Sequence, residues 1–516
     1  MTTNEYIDHA SAEVDAKAVP AGTGTPFADA VLGLRRDERD GEQIVSFHAL
    51  PWSQGRSLAD CGGRIGEKYR QLFGDAFLET EVTYSGGVLD SFLRPTASLD
   101  MAQQLTADAF GASYTFFVTC GTTLANQVAF DALAGPRRRI LVDRTAHQSV
   151  HVAAGQSAAT VDYMPVAEHV QVAEQPVLDV PRMLRMVTDA AERGRPYDAI
   201  VLAGSSYDGV VYNMHPILAA CLEASPTTAF LVDEAWAAIN TFHPELRPLT
   251  ALDAAERITA DGTPITLLVT HSAHKSMSAA RQGSYLHVVG DAELIARLAS
   301  VLYGRHTTSP SIPILASLDL ARAQAQSHGE PLVQRALDLA ADLRRAIGSD
   351  PSLADYRIVP YPVCDIAHQR YFAADPTKVH IDVTELGLRG DEVRQRLIRD
   401  YGIYVSRTLQ HGFLVNLHIG ITADDVERLL GALRSLARRE HGRLYARPDL
   451  VNDAAATVDR LLIAYPPGVP LAVPGEPWTD QLRQRVDASR RGGADIYTLP
   501  AGEPHCSHVH VCEEVS

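Results

Sequence analysis

Apolar residues occur in short continuous runs along the middle of the chain, and longer stretches with helical spacing separate these runs. The runs that predict strands are Tyr114–Cys120, Arg139–Asp143, Ala199–Ala203, Phe230–Trp236, Ile265–Val269 and Tyr285–Val289. Runs without polar alternation are typical of strands that are covered on both faces by helices. The pattern therefore predicts an α/β fold with a doubly wound, mostly parallel sheet from about residue 97 to 320. Tyr285–Val289 is predicted to be an antiparallel neighbour.

The pattern changes after Leu320. A long helix is predicted at Ala321–Ile347, followed by strands near residues 379–383 and 403–405 and a helix at 423–439. The proline-rich stretch Tyr465–Glu476 predicts an extended loop, because proline is excluded from helix interiors. The chain is thus expected to contain an N-terminal arm with a short helix (1–95), a large domain (96–325) and a smaller α+β C-terminal domain with a tail (326–516).

Composition narrows the functional class. The chain has 516 residues, 46% of them hydrophobic and 21% charged, and a net charge of −17. A strongly acidic balance argues against a nucleic-acid partner, whose phosphates require a basic surface. No apolar run reaches membrane-spanning length, and the polar N-terminus does not resemble a secretory signal. The six cysteines are mostly scattered, which is typical of a reduced protein. We therefore expect a soluble cytoplasmic enzyme.

Lys275 is the main candidate for catalysis. It lies in the sequence Thr270–Met277, directly after the apolar run Ile265–Val269. A lysine at such a place is desolvated, loses its proton more easily, and can then attack a carbonyl group to form a Schiff base. Lys275 is thus a candidate for an imine link to pyridoxal 5'-phosphate (PLP). The alternative is an ordinary lysine in a surface loop.

Three further sites fit the same chemistry. Gly121, Thr122 and Thr123 stand between a strand and a helix, where backbone N–H groups and hydroxyls bind anions, although a simple helix cap explains them equally well. Asp233 ends an apolar strand, at the edge where open α/β sheets bind ligands, and a protonated pyridine nitrogen would supply the cation that it needs. His147 is placed to lie flat on an aromatic cofactor ring, or is only a loop histidine.

Several motifs together resemble the ornithine/lysine/arginine decarboxylases, which are PLP enzymes with the aspartate-aminotransferase fold. The motifs, in chain order, are GTT (121–123) with Asn126, DRTAHQS (143–149), DEAW (233–236), SAHK (272–275), TTSPSIP (307–313), DPTKV (375–379) and YPPGVP (465–470). They occur between about residues 45 and 490. The resemblance implies a PLP-transferase-like large domain with a mostly parallel sheet of the seven-stranded type.

The resemblance also implies roles for individual residues. Lys275 would form the imine and move protons at the substrate carbon, Asp233 would keep the pyridine nitrogen protonated, and His147 would stack on the ring. The other cofactor-binding residues that it implies are Gly121, Thr122, Thr123, Ala235, Trp236, Ser272, His274 and, from a second subunit, Thr308. No metal is implied.

The implied reaction is the decarboxylation of an amino acid with a basic side chain, in a homodimer or a larger homo-oligomer. Two stretches depart from the family pattern, namely FHALPW (47–52) and GIYVS, in which Ser406 replaces a frequent glutamate. An oxygen-dependent oxidase or hydroxylase, or an aminotransferase, therefore remains an alternative, as does a non-catalytic regulatory paralogue. Asp90 matches a family aspartate, and either faces the substrate or caps a turn. The tail His505–Cys512 has the side chains of a metal site, but its terminal position favours disorder.

Overall fold

The computed structural model describes residues 24–34, 44–59, 63–85, 87–172, 175–360, 370–440, 458, 460–499 and 510–511. The chain divides into two compact units. The first unit consists of residues 1–125 and 272–329, and the second of residues 126–271 and 330–516. The domain boundaries predicted near residues 95 and 325 stay a prediction. The tail predicted as a candidate metal site lies outside the described residues, except for its positions 510–511.

The α-helices are α1 (Pro26–Gly33), α2 (Arg56–Ala59), α3 (Arg64–Thr80), α4 (Ser98–Phe110), α5 (Gly121–Leu133), α6 (Gln148–Gln156), α7 (Val180–Glu192), α8 (Met214–Ala224), α9 (Ala251–Ala260), α10 (Ala273–Ser276), α11 (Ala292–Arg305), α12 (Ile312–Ser349), α13 (Gly390–Tyr401), α14 (Ala423–Glu440) and α15 (Asp480–Arg491). Short 3-10 helices lie at Ser53–Gly55, Ala238–Phe242, Arg247–Leu249, Pro351–Leu353 and Thr384–Leu386. No helix among the described residues is both long enough and apolar enough to span a membrane.

The strands are β1 (Tyr114–Val118), β2 (Arg139–Val142), β3 (Thr160–Tyr163), β4 (Val166–Val172), β5 (Gln175–Leu178), β6 (Ala199–Ala203), β7 (Val210–Tyr212), β8 (Ala229–Asp233), β9 (Thr266–His271), β10 (Ser284–Val289), β11 (Arg357–Ile358), β12 (Phe372–Ala374), β13 (Lys378–Asp382), β14 (Arg407–Leu409), β15 (Gly412–Asn416), β16 (Leu461–Tyr465), β17 (Val469–Ala472), β18 (Asp495–Leu499) and β19 (His510–Val511).

The second unit contains the parallel sheet that the apolar runs predict. Its strands pair in the order β9-β8-β6-β2-β3, and each of these pairs is parallel. Strand β6 is buried along its whole length, as expected of a strand that is covered on both faces. The register places Asp233, the last residue of β8, opposite Ala203 of β6 and Thr270 of β9. The prediction of a mixed α/β fold with a mostly parallel central sheet is confirmed.

The first unit contains an antiparallel pair and the helices around it. Strand β1 pairs with β10, with Tyr114 opposite Val288 and Val118 opposite Ser284, which confirms the antiparallel direction predicted for residues 285–289. Helix α4 ends at Gly111, which adopts the left-handed conformation with φ 79°. Helix α5 begins directly at Gly121.

An antiparallel sheet in the order β11-β13-β15-β14 forms in the C-terminal part of the second unit. Its core includes residues of α13 and α14, among them Leu397 and Leu433. The strand predicted at residues 403–405 is wrong, since the paired strand is β14. The amide of Ile403 donates to the carbonyl of Leu397 at the end of α13, so sheet pairing begins only after this helix end.

A second antiparallel sheet, in the order β17-β16-β18-β19, lies near the C-terminus. The prediction of an extended loop at Tyr465–Glu476 is wrong in part, because Val469–Ala472 forms strand β17. Pro470 is tolerated there because β17 is an edge strand, where a missing N–H group breaks no ladder. Helix α15 packs on this sheet through Leu482 and Val486.

Candidate active site

The turn that carries Lys275 is anchored to the start of β10. Lys275 lies in α10, half-buried, and its backbone N–H donates to the carbonyl of Ser272 at 3.0 Å. Both the backbone N–H and the Nδ1 of His274 donate to the carbonyl of Gly283, at 3.3 and 2.9 Å. Burial lowers the pKa of His274. The histidine is therefore a neutral anchor that fixes the short helix in which Lys275 lies.

Three buried hydroxyl groups meet at the first turn of α5. The Oγ1 of Thr122 lies 2.6 Å from the Oγ of Ser272 and 3.0 Å from the Oγ of Ser284. Gly121 begins this 13-residue helix with φ 77°, a conformation that favours glycine. A helix N-terminus lined by hydroxyls is suited to a phosphate group, because free N–H groups and the helix dipole both favour negative charge.

Sequence reasoning missed Ser284, and it included two threonines that lie outside this hydroxyl cluster. Ser284 faces Val118 in the antiparallel register, and strand pairing was the only signal that could have found it. Thr123 and Thr308 are exposed. Among the described residues of the first unit, neither threonine forms a hydrogen bond with the cluster. Their cofactor contacts stay a prediction.

Asp233 is a buried carboxylate in the second unit, with 5% of its surface exposed. Its Oδ2 accepts a hydrogen bond from the Nδ2 of Asn126 at 2.8 Å, and its Oδ1 accepts one from the backbone N–H of Ala235 at 3.0 Å. Both donors are neutral amides, so these contacts orient the carboxylate without compensating its charge. A buried carboxylate of this kind is stabilised by a cationic group such as a protonated pyridine nitrogen.

His147 forms the N-cap of α6. Its Nδ1 accepts a hydrogen bond from the backbone N–H of Ser149 at 3.2 Å and lies 2.9 Å from the Oγ of Ser149. That hydroxyl also accepts from the Nδ2 of Asn126 at 3.0 Å. The structure thus joins His147 and Asp233 through Asn126 and Ser149. Sequence reasoning placed Asn126 in a motif without a role, and it missed the role of Ser149.

Trp236 belongs to a second group of side chains in the same unit. Its ring makes an edge contact with the ring of Tyr207, 5.0 Å between centroids, and the Nζ of Lys378 lies 4.6 Å from its centroid. Lys378 is buried, donates to the Oδ1 of Asn416 at 2.7 Å, and has its pKa lowered by burial. A cation over the face of a tryptophan is attracted by the ring electrons. Lys378 therefore helps to fix the Trp236 ring.

Ser406 lies beside this group, at the position where the family pattern often has glutamate. Its hydroxyl lies 2.8 Å from the hydroxyl of Tyr207, which also donates to the Ser406 carbonyl at 3.0 Å. The next residue, Arg407, forms a buried ion pair with Asp208, in which the Nη1 lies 2.6 Å from each carboxylate oxygen. These contacts link strand β14 to the loop after β6.

Asp90 caps a helix in the first unit. Its Oδ2 accepts hydrogen bonds from the backbone N–H groups of Ala97, Leu99 and Asp100, at 2.8 to 3.2 Å. These amides form the first turn of α4, whose own N-cap residue, Ala97, has no capping side chain. Of the two roles that the sequence allowed for Asp90, the structure shows the capping one.

Comparison with known proteins identifies the family. A family model described as "Orn/Lys/Arg decarboxylase, major domain" matches residues 41–425, which is well over half of the chain. The chain belongs to the Orn/Lys/Arg decarboxylase family. The enzyme is therefore a PLP-dependent amino acid carboxy-lyase, as the sequence motifs predicted.

Individual relatives agree with this identification. An arginine decarboxylase of Halalkalibacterium halodurans is 28% identical over 464 residues, covering 84% of this chain and 89% of that protein. The lysine decarboxylase LdcA of Pseudomonas aeruginosa is 26% identical over 581 residues, covering 90% and 76%. The structure of the constitutive lysine decarboxylase of Escherichia coli matches with a TM-score of 0.71 and 21% identity, covering 92% of this chain and 80% of that one. The structural match supports the fold.

The residues of both units fit PLP. In the first unit, the hydroxyls of Thr122, Ser272 and Ser284 at a helix N-terminus suit a phosphate, and Lys275 lies three residues after Ser272. In the second unit, the buried Asp233 has neutral amide donors and suits a pyridinium N–H. Each set, taken by itself, therefore suits one charged group of the cofactor.

Proposed function

We propose that this enzyme decarboxylates an amino acid with a basic side chain, of the lysine, ornithine or arginine type. The observation that carries the proposal is the family match over residues 41–425 of a chain that retains Lys275 and a buried Asp233. Relatives named as arginine and lysine decarboxylases support a basic substrate. PLP, when bound, supplies a protonated ring that takes up the electrons of the bond broken at the substrate's α-carbon.

Each proposed catalytic residue has a role that its surroundings permit. Lys275 would hold the cofactor through its Nζ, and its amine would move a proton at the α-carbon of the substrate. The carboxylate of Asp233 accepts the hydrogen bond of the pyridine N–H and keeps that proton in place. His147 would stack on the cofactor ring.

The other residues are proposed to bind the cofactor. Ala235 allows close approach of the cofactor because its side chain is small, and Trp236 borders the pocket. The phosphate is proposed to contact Gly121, Thr122, Thr123, Ser272 and His274, with Thr308 coming from a second subunit. We also propose that the enzyme works in the cytoplasm as a homodimer or larger homo-oligomer, which sedimentation analysis would test directly.

A substrate screen tests the proposed reaction. Purified enzyme loaded with PLP is incubated without oxygen with arginine, lysine, ornithine and, as comparison, aspartate and leucine, while CO2 and amine are measured. We expect release from at least one basic amino acid and none from the others. Lys275→Ala should abolish release, whereas Lys68→Ala, which removes an exposed lysine of α3, should retain it. No CO2 from any basic amino acid would contradict the proposed reaction.

Ser406 favours one alternative outcome of the same screen. Where a glutamate is frequent in the family, the chain has a hydroxyl that is bonded to Tyr207. This change alters the charge beside Trp236, and it is the reason for testing an oxygen-dependent oxidase or hydroxylase, or an aminotransferase. Oxygen uptake or keto-acid formation, measured in air with the same substrates, would identify such a reaction.

A further inference from the structure

Five side chains are joined by hydrogen bonds in the second unit, four of them in a line and Asp233 attached to that line at Asn126. The Oγ1 of Thr270 lies 2.6 Å from the Oδ1 of Asn126, and the Nδ2 of Asn126 reaches both Asp233 and the Oγ of Ser149. The Ser149 hydroxyl then lies 2.9 Å from the Nδ1 of His147. Thr270, Asn126 and Ser149 are each at most 2% exposed, so water does not compete with these bonds.

The backbone fixes the direction of the last bond in this line. The backbone N–H of Ser149 can only donate, and it donates to the Nδ1 of His147. That ring nitrogen must therefore be an acceptor, so a neutral His147 carries its proton on Nε2. The side-chain hydroxyl of Ser149 can then donate to the same Nδ1.

The charge of Asp233 fixes the direction of the other bonds. The amide of Asn126 must turn its N–H group toward the carboxylate, because the opposite orientation would place two acceptor oxygens against each other. Its second N–H then points to the Oγ of Ser149, and its Oδ1 accepts the hydroxyl proton of Thr270. Since Ser149 accepts from Asn126, its own proton is left for His147.

We propose that Asn126 and Ser149 are positioning residues that couple Asp233 to His147, and that they hold His147 as the neutral tautomer with its proton on Nε2. Protonation of Nδ1 would break the N-cap bond of α6 and would deprive the Ser149 hydroxyl proton of its acceptor in this line. A neutral imidazole adds no positive charge beside the cofactor ring, while the Asn126 amide orients Asp233 toward the pyridine nitrogen. The proposal rests on the proposed roles of His147 and Asp233.

The first test measures the tautomer without substrate or PLP. Nitrogen-15 NMR of the PLP-free protein with labelled histidine reports which ring nitrogen carries the proton, and the loss of one signal set in His147→Gln assigns it. We expect an unprotonated Nδ1 and a protonated Nε2 at neutral pH. A proton on Nδ1, or a charged ring at neutral pH, would overturn the proposal whatever the substrate is.

The second test removes the serine hydroxyl. In Ser149→Ala, the Nδ1 of His147 loses one of its two donors, so we expect its nitrogen-15 resonance to shift and the tautomer with the proton on Nδ1 to become populated. Thr106→Ala is the matched control, because it removes a fully buried hydroxyl whose one bond among the described residues goes to the Ala102 carbonyl of the same helix, α4. A folded Ser149→Ala protein whose His147 resonances match those of the wild type would contradict the coupling.

The third test measures cofactor affinity. Asn126→Leu removes both amide donors at similar volume, and we expect PLP to bind about tenfold more weakly in a fluorescence titration, since a hydrogen bond to a charged group is lost. His147 should also change its NMR signals in this variant, because Ser149 bonds to both Asn126 and His147. Unchanged PLP affinity together with unchanged His147 signals would refute the positioning role of Asn126. A failed substrate screen with the expected NMR result would instead refute only the proposed reaction.

Discussion

A single glycine sets how closely the β16–β17 turn approaches His147. Gly468 has φ 88°, and a β-carbon placed on it would lie 3.0 Å from the Nε2 of His147. We expect Gly468→Ala to lower the free energy of unfolding by about 1 to 2 kcal/mol, because side chains rarely adopt this conformation. We also expect weaker PLP binding, because the imidazole must move. Urea unfolding and PLP titration measure the two effects.

Gly475 provides the control for Gly468. It has φ 90°, and no heavy atom lies within 4 Å of its added β-carbon. Gly475→Ala should show a similar loss of stability from backbone strain but unchanged PLP affinity. If both variants weaken PLP binding equally, the contact with His147 is not the cause.

Asp90 gives a second prediction at the scale of one side chain. Asp90→Ala removes the acceptor for the first-turn amides of α4, and we expect a loss of about 1 to 2 kcal/mol in the free energy of unfolding. The KM for the basic substrate should not change. Asp108→Ala, an exposed position on the same helix, should leave stability and KM unchanged. A large rise in KM with unaltered stability would restore a substrate-binding role for Asp90.

The sequence predicted a functional role for those residues whose charge conflicted with an apolar run beside them. Asp233 was recognisable because a carboxylate ends a fully apolar strand, and Lys275 because a lysine follows one. Ser149 and Ser284 gave no such signal, since a buried serine is common and only the register of β1 and β10 or the N-cap of α6 assigns it a partner. Their contacts depend on tertiary packing.

At the scale of secondary structure, apolar runs correctly predicted the buried parallel strands. They predicted a strand wrongly where a backbone N–H group was already hydrogen-bonded within a helix end. Ile403 has strand composition, but its N–H closes α13. The opposite error occurred at Val469–Ala472, where prolines argued for a loop while the edge position of β17 permits a strand. Residue propensity alone indicates neither the hydrogen-bond partner of the Ile403 amide nor the edge position of β17.

One ion pair attaches strand β17 and its following turn to the loop after β2. The guanidinium of Arg144 contacts Glu476 through Nε and Nη2, at 2.6 and 2.9 Å, and donates to the carbonyls of Pro470 and Leu471. Burial opposes ionisation of Glu476, but the hydrogen bonds of Arg144 prevail and hold the pKa of that carboxyl below its ordinary value. This pair therefore stabilises the folded chain mainly when Glu476 is ionised.

Glu476→Gln tests this ion pair. At neutral pH we expect it to cost about 1 kcal/mol, because Arg144 is buried while Glu476 is partly exposed and screened. A lowered pKa means that the stabilisation is complete above the unfolded value near 4.5 and is lost as pH falls through the folded pKa. The difference from wild type should thus shrink in acid, as followed by melting temperature against pH.

Glu427→Gln is the matched control for that experiment. Glu427 pairs with Arg434 at 2.7 Å, but its side chain is 69% exposed. Exposed ion pairs contribute little to stability, so we expect almost no change at any pH. An equal effect of the two substitutions would show that burial of Arg144 does not strengthen its pair.

At the scale of the whole molecule, the cofactor should act as a stabilising ligand. A ligand that binds only the folded protein raises its stability with concentration, by about 2.7 kcal/mol at one hundred times the dissociation constant. We therefore expect removal of PLP to lower the melting temperature and its return to restore it, at constant protein concentration so that subunit association does not contribute.

Lys275→Arg tests whether this stabilisation depends on the covalent link. It keeps the positive charge but cannot form an imine, and its melting temperature should increase much less with PLP. Lys68→Ala should behave as wild type. A Lys275→Arg protein that gains as much stability from PLP as the wild type would show that this lysine does not hold the cofactor covalently.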